Sequence, residues 1–229
     1  MAITETNLTS AADTTDASSW TTASITPTGN SLVEAAVASS LLAGPAAPTL
    51  SGNGLTWVQV ATRTFASTRR ITLFRALAAS PSSGSVTIDF GGVTQLACAW
   101  SISEYAGADT SGTNGSGAIV QSATNFGTST TPSVTLAAFG SSDNATYGTF
   151  SVNNTGGFTV GAGFASVGNV NVAGLGSLLG EWRADNDTSV DATCTSGEWG
   201  GIAVEIKAAA AAASVATGVP YRMLMGVGL

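Results

Sequence analysis

The stretch "QLACAWSISEYAG", residues 95–107, alternates apolar residues with small or polar ones from Leu96 to Ser103. Alternate residues of a β-strand point to the same face of a sheet. The stretch therefore predicts a strand with one face in the protein core. The residues of that face are Leu96, Cys98, Trp100 and Ile102.

Short runs with the same alternation recur along the chain, separated by Gly, Pro, Asn, Asp and Ser. They include "SWTTASIT" (19–26), "LVEAAVAS" (32–39), "LTWVQVATRTF" (55–65), "RRITLFRAL" (69–77), "GFTVGAGF" (157–164) and "WGGIAVEIK" (199–207). About a dozen such strands, with no amphipathic helix of useful length between them, are typical of sandwiches and barrels. We expect an all-β protein, an antiparallel two-sheet β-sandwich of jelly-roll-like type with N- and C-terminal extensions.

The alternation covers most of the chain but not its two ends. Residues 1–17 are polar and predict an N-terminal arm. Residues 18–207 predict one β-sandwich domain, since no convincing sequence repeat or internal linker is evident. Residues 208–229 predict an Ala-rich spacer followed by an apolar C-terminal tail, because six alanines form too short a helix to be stable alone.

Composition excludes several classes of partner. Charged residues make up 9% of the 229, against about 25% in a typical domain, and the net charge is −7 with a single lysine. A nucleic-acid-binding face needs clustered basic residues, and no run approaches the roughly 18 apolar residues of a membrane span. The start lacks the basic and apolar regions of a secretory signal. We therefore expect synthesis in a cytoplasm, although the Ser/Thr/Gly-rich composition is typical of proteins that work outside cells.

Five ordered segments resemble a group of phage-encoded β-sandwich proteins that are virion structural components. The segments are "SITPTGNSLV", "PTLSGNGLTWVQV", "RRITLFRA", "WSISEYAGAD" and "WGGIAVEIK", and the likeness covers about residues 18–207. The resemblance implies a virion protein, of the capsid decoration (cement) or tail-associated type, assembled in the host cytoplasm. It implies no active-site residues. It also favours a homo-oligomer, with a trimer preferred.

No catalytic motif is present, and we expect a protein that is not an enzyme and needs no cofactor. The absence of histidine excludes every His-dependent triad. Two carboxylates suffice for glycoside hydrolysis, so a pair that meets across a sheet would be a candidate site. The carboxylates in or beside predicted strands are Glu104, Glu181, Glu198 and Glu205. A polar strand face is the favoured interpretation of all four.

Two further groups of residues have both a chemical and a structural interpretation. Asp185, Asp187 and Asp191 form a weak Ca²⁺ candidate because Ca²⁺ binds clustered carboxylates, but Asp and Asn are also common in hairpin turns. We favour the turn and predict no metal. Cys98 and Cys194 are interpreted as two buried thiols rather than a disulfide.

The C-terminal tail carries the predicted partner-binding residues. They are Tyr221, Met223, Leu224, Met225, Val227 and Leu229. We expect them to dock on an adjacent subunit or on the capsid shell, so that the partners are the major capsid protein, other virion subunits or a second copy. The alternative is that the tail packs on its own sandwich. The competing functions are a tail or fibre module that recognises a host, and a carbohydrate-binding domain that stacks a glycan on exposed aromatic rings.

Overall fold

The computed structural model describes residues 2–211, and within them it consists of strands without any helix. The strands are β1 (Thr4–Asp13), β2 (Ser19–Thr21), β3 (Leu32–Ser40), β4 (Thr49–Ser51), β5 (Val58–Phe65), β6 (Arg69–Ala76), β7 (Thr87–Asp89), β8 (Ala97–Ala106), β9 (Ile119–Ser129), β10 (Ser133–Thr135), β11 (Ala145–Val152), β12 (Phe158–Val160), β13 (Ala165–Val172), β14 (Gly176–Arg183), β15 (Ser189–Cys194) and β16 (Gly197–Ile206). None of the described residues forms a helix long and apolar enough to cross a membrane.

The strands form four antiparallel sheets, two in each half of the chain. In the first half a five-stranded sheet has the order β1-β8-β3-β6-β5 and a three-stranded sheet the order β2-β7-β4. In the second half the orders are β9-β16-β11-β14-β13 and β10-β15-β12, which are the same orders with each strand number raised by eight. Each half has the strand order of a jelly roll in which the fifth strand pairs with the sixth. The prediction of an all-β, antiparallel, jelly-roll-like sandwich is confirmed, and the chain contains two such sandwiches.

The repeat that sequence inspection did not recognise is visible in two matching turns. "GNGL" (52–55) precedes β5 and "GAGF" (161–164) precedes β13. In both, the N–H of the fourth residue donates to the carbonyl oxygen of the first at 3.1 Å. The third-position glycine has a φ of 64° in one turn and 82° in the other, a left-handed conformation that favours glycine. The two halves thus form a structural repeat that is preserved in strand order and backbone geometry and hardly at all in side chains, which is why no convincing sequence repeat is evident.

All four outer strands of the two five-stranded sheets contain a β-bulge. The bulges of β5 and β13 lie at equivalent places, since the extra residue is Val60 in one and Val167 in the other. A bulge twists an exposed strand and hinders its pairing with a strand of another molecule. The sheets are thus protected at their edges without lysine.

Three apolar layers separate the four sheets. The central layer lies between the two five-stranded sheets and contains Tyr105 from the first half and Tyr147 from the second, with ring centroids 6.0 Å apart. Each outer layer lies between a five-stranded sheet and its three-stranded partner. Strand β8 is buried on both faces, since Cys98 and Trp100 face an outer layer and Ala99 the central one. The core face predicted for this strand is confirmed apart from Leu96, which is half-buried.

The predicted N-terminal arm over residues 1–17 is wrong, because residues 4–13 form strand β1 along the edge of the first five-stranded sheet. Its polar side chains serve the contact between the halves. Asn7 Nδ2 donates to the carbonyl oxygen of Val167 in the second half, and Ser10 Oγ donates to Ser101 Oγ, which itself donates to the same carbonyl oxygen at 3.1 Å. Sequence pattern alone does not distinguish such an edge strand from a solvated terminus.

The sandwich extends slightly beyond residue 207. Ala208 pairs with Ala108, and the N–H of Ala209 donates to the carbonyl oxygen of Gly107 at 2.8 Å. The start of the predicted spacer is therefore attached to residues 107–118, the linker between β8 and β9 that joins the two halves. The predicted partner-binding residues, from Tyr221 to Leu229, lie outside the described residues.

Candidate functional site

Two of the four strand carboxylates hold loops in place. Glu104, near the end of β8, accepts hydrogen bonds from Thr28 N at 2.6 Å and Thr28 Oγ1 at 2.8 Å. Glu205, at the equivalent place in β16, accepts from Asn144 Nδ2 and Gln121 Nε2, both at 2.6 Å. Thr28 and Asn144 precede β3 and β11, so each glutamate fixes the entry to the central strand of its half. These contacts explain both residues as structural groups.

The other two carboxylates, Glu181 on β14 and Glu198 on β16, differ in exposure and have separate hydrogen-bond partners. Glu181 has an exposed fraction of 0%, accepts from Gly161 N at 3.0 Å, and has its pKa raised to about 8 by burial and, to a smaller extent, by the charge of Asp191. Glu198 is exposed and accepts from Asn153 Nδ2 at 3.4 Å. A buried acid with a raised pKa is a common feature of active sites. Here the burial of Glu181 leaves no access for a substrate.

The aspartates of the weak Ca²⁺ candidate bind an arginine. The Arg183 guanidinium contacts Asp185 through Nε and Nη2 at 2.5 and 2.9 Å, and Asp187 through Nη1 at 2.7 Å. The arginine lowers the pKa of Asp185. Asp191 lies apart, on β15. Among the described residues no group of three or more His, Cys, Asp or Glu side chains is placed to hold a metal ion.

The two cysteines are separate thiols, as predicted, and lie in different outer layers of the molecule. Cys98 is buried, which raises its thiol pKa strongly. The tryptophans also mostly fill core positions. Trp20, Trp100 and Trp199 are each 5% exposed, whereas Trp57 and Trp182 are half-buried.

Sequence inspection missed the most unusual ionisable group, Glu34 on β3. This side chain is 1% exposed, and neither of its carboxylate oxygens has a hydrogen-bond partner among the described residues. Burial raises its pKa to about 8. The pKa values of Tyr105 and Tyr147 in the central layer are raised by their own burial and, to a smaller extent, by the charge of Glu34. The available signal was a single glutamate in the otherwise apolar run "LVEAAVAS". It shares the strand face of Leu32 and Ala36, which belong to the central layer.

A groove of about 570 Å³ lies where the ends of β8 and β16 meet the linker between the halves. This volume is in the range of cavities that bind small ligands or side chains of a partner. Its apolar lining residues are Val120 and the alanines at 208–211, and its polar ones include Asp143 and Asn144 from the loop before β11, together with Glu205. The two kinds lie side by side, since the N–H of Ala208 donates to Asn144 Oδ1 at 3.1 Å.

The charges of the groove are predominantly negative. Three carboxylates, those of Asp109, Asp143 and Glu205, face a single ammonium group, that of Lys207. Lys207 Nζ lies 2.6 Å from Asp109 Oδ2, and this contact, with the N–H of Ser111, lowers the pKa of Asp109 to about 2. The groove therefore favours a ligand that combines apolar and cationic groups.

Comparison of the chain with protein-family models, curated proteins and solved structures found no match.

Proposed function

We propose that this protein is a non-enzymatic virion structural protein that decorates or cements a phage capsid through its sandwich and its C-terminal tail. The observation that carries the proposal is the combination of two sandwiches in one block with an unusually uncharged surface. Because the two halves share a central apolar layer, they form one unit rather than two independent domains joined by a linker. Such a unit suits a component that must stay rigid in a lattice.

The uncharged surface supports the proposal. No Asp, Glu, Lys or Arg occurs between Asp109 and Asp143, a segment that includes all of β9 and β10. Charged groups lose their hydration when they are buried between proteins, and charged residues are depleted at the centre of interfaces. A surface of Ser, Thr, Gly and Ala therefore packs against neighbouring subunits at low cost in desolvation.

The protected sheet edges support the same function. A protein present at high local concentration on a particle would form fibres if its outer strands paired freely. The four bulges hinder that pairing. Attachment then depends on other surfaces, of which the C-terminal tail is the one we propose.

Glycan recognition by a tail or fibre module, or by a carbohydrate-binding domain, is the alternative, and it has weaker support. Such sites stack sugars on exposed aromatic rings, but the described tryptophans are buried or half-buried. Among residues 2–211 the exposed aromatic side chain is Phe126, at 55%, and the guanidinium carbon of Arg63 lies 3.8 Å from the centre of its ring. One face of the ring is thus already stacked on a cation.

The decisive experiment is to count and locate the protein in purified virions of the phage that encodes it. We expect mass spectrometry to give hundreds of copies per particle, and particle imaging to place them on the capsid surface. A few copies at the tail would support the host-recognition alternative. Absence from the virion would contradict both.

The role of the tail is tested by a variant that ends at Ala211. This end point keeps the Ala208 and Ala209 contacts with the linker. We expect the melting temperature of the variant to be nearly unchanged. We expect it to lose binding to particles that lack the native protein. Failure of the variant to fold would show that the tail belongs to the core of its own sandwich.

A further inference from the structure

We propose that the groove of one copy binds the C-terminal tail of a second copy, with Arg222 of that tail against the carboxylates of the groove. The inference rests on the proposed function, because it names the surface on which a neighbouring tail docks. Residues 212–229 lie outside the described residues and contribute here through their sequence alone.

Charge complementarity is the first support. From residue 208 onward, Arg222 is the sole charged side chain. In the groove, Asp109 is paired with Lys207, and Glu205 is bonded to two side-chain amides. Asp143 remains as the exposed carboxylate at the rim. A guanidinium placed there would gain an ion pair without breaking one.

The apolar residues that line the groove are the second support. Val120 is the bulge residue of β9 and is 51% exposed, one of four large apolar side chains exposed among the described residues. The alanines at 208–211 also line the groove. The residues that flank Arg222 are Tyr221 and Met223. A flexible methionine adapts to an irregular groove, and its burial against Val120 would remove apolar surface from water.

The length of the chain permits contact between copies. The described chain ends at Ala211 on the rim of the groove, and eleven further residues lead to Arg222. Fully extended, they span at most about 36–40 Å. A tail that enters the groove of the next copy makes a head-to-tail contact, which closes into a ring or continues as an open chain. A closed ring of three is the trimer that the resemblance implies.

A charge exchange between groove and tail tests the inference in the full-length protein. In the variant Asp143→Arg the groove repels the native tail, and in Arg222→Asp the tail is repelled by the native groove. We expect each variant alone to associate at least about tenfold more weakly than the native chain in sedimentation velocity. The double variant should recover association, because its groove and tail are complementary again.

Mixing the two single variants distinguishes a neighbour's tail from the copy's own. In the mixture every groove has a complementary tail on the other variant, so association should recover in part: two of the three contacts of a closed ring are complementary, and the third joins two copies of the same variant. Recovery in the double variant without recovery in the mixture would show that each tail binds its own groove, and would overturn the inference. Unchanged association of both single variants would overturn it as well.

Asp16→Arg is the matched control, since Asp16 is an exposed carboxylate far along the chain from the groove and undergoes the same change of charge. Its association should equal that of the native protein. The variant that ends at Ala211 separates this inference from the proposed function. If truncation abolishes particle binding while the groove variants associate normally, the tail acts at another surface and only the present inference fails.

Discussion

Arg69, in the first half of the chain, donates a hydrogen bond from Nε to the carbonyl oxygen of Leu175, in the second half, at 2.7 Å. Leu175 belongs to the central apolar layer that the halves share. The contact links two units of the same strand order and adds to the coupling that their shared apolar layer provides.

We expect Arg69→Ala to lower the free energy of unfolding by about 1–3 kcal/mol, because it leaves a carbonyl group without its charged donor. Urea unfolding should remain a single transition, because unfolding of either half exposes the central apolar layer that both halves share. Arg70→Ala is the control, because Arg70 Nε donates to Pro45 within the first half at 3.0 Å. Its loss should not affect the coupling of the halves. Two separate transitions in the native protein would contradict the shared core.

Glu34 should make the protein less stable as the pH rises. The ordinary pKa of a glutamate is 4.5, and that of buried Glu34 is about 8. Between these values the folded chain keeps a proton that the unfolded chain has released. The free energy of unfolding therefore falls with increasing pH, by up to about 1.4 kcal/mol per pH unit, and levels off above pH 8.

The variant Glu34→Gln should flatten this dependence, as measured by urea unfolding at several pH values between 4.5 and 8. Glu181→Gln should remove a second contribution of the same sign, since the pKa of Glu181 is also raised to about 8. An unchanged slope in the Glu34 variant would show that its carboxyl group is not buried as described.

Two glycines should respond in opposite ways to substitution by alanine. Gly176 has a φ of 125°, and a Cβ there would collide with the carbonyl oxygen of Val152. We expect Gly176→Ala to cost at least about 2 kcal/mol. Gly140 has open space around its Cβ position, so Gly140→Ala should be neutral or stabilise by up to about 1 kcal/mol through the unfolded chain. Thermal melting distinguishes the two, and equal effects would contradict the described backbone.

Calcium should not stabilise the protein through Asp185 and Asp187. Their carboxylates are occupied by Arg183, so a cation would have to displace the guanidinium. We expect the same melting temperature in millimolar CaCl₂ as in chelator. Arg183→Gln should cost no more than about 1 kcal/mol, because the pair is partly exposed. A calcium-dependent rise of several degrees in the native protein would show that the metal interpretation is correct.

The local patterns of this sequence were sufficient to predict the class of fold. The alternation in residues 95–107 predicts a strand, and the structure has β8 at Ala97–Ala106. The prediction succeeds because successive side chains of a strand point to opposite faces of the sheet, which is a property of the local backbone. The connecting segment at Asp185 and Asp187 could also be predicted locally, although β14 and β15 belong to different sheets and do not form a hairpin. Low charge, the absence of histidine and the sequence of the tail are likewise readable without a structure.

Tertiary structure alone decided how the strands associate. The duplication rests on strand order and on turns such as "GNGL" and "GAGF", where backbone conformation is kept while most side chains differ. Strand β1 looked like a solvated arm because an edge strand that contacts another sheet through a polar side chain, here Asn7, needs few apolar residues. The burial of Glu34 depends on the second half packing on the first, and the groove beside Val120 depends on the end of β16 meeting the segment between β8 and β9. Contacts between residues far apart in sequence leave no periodic signal within either segment.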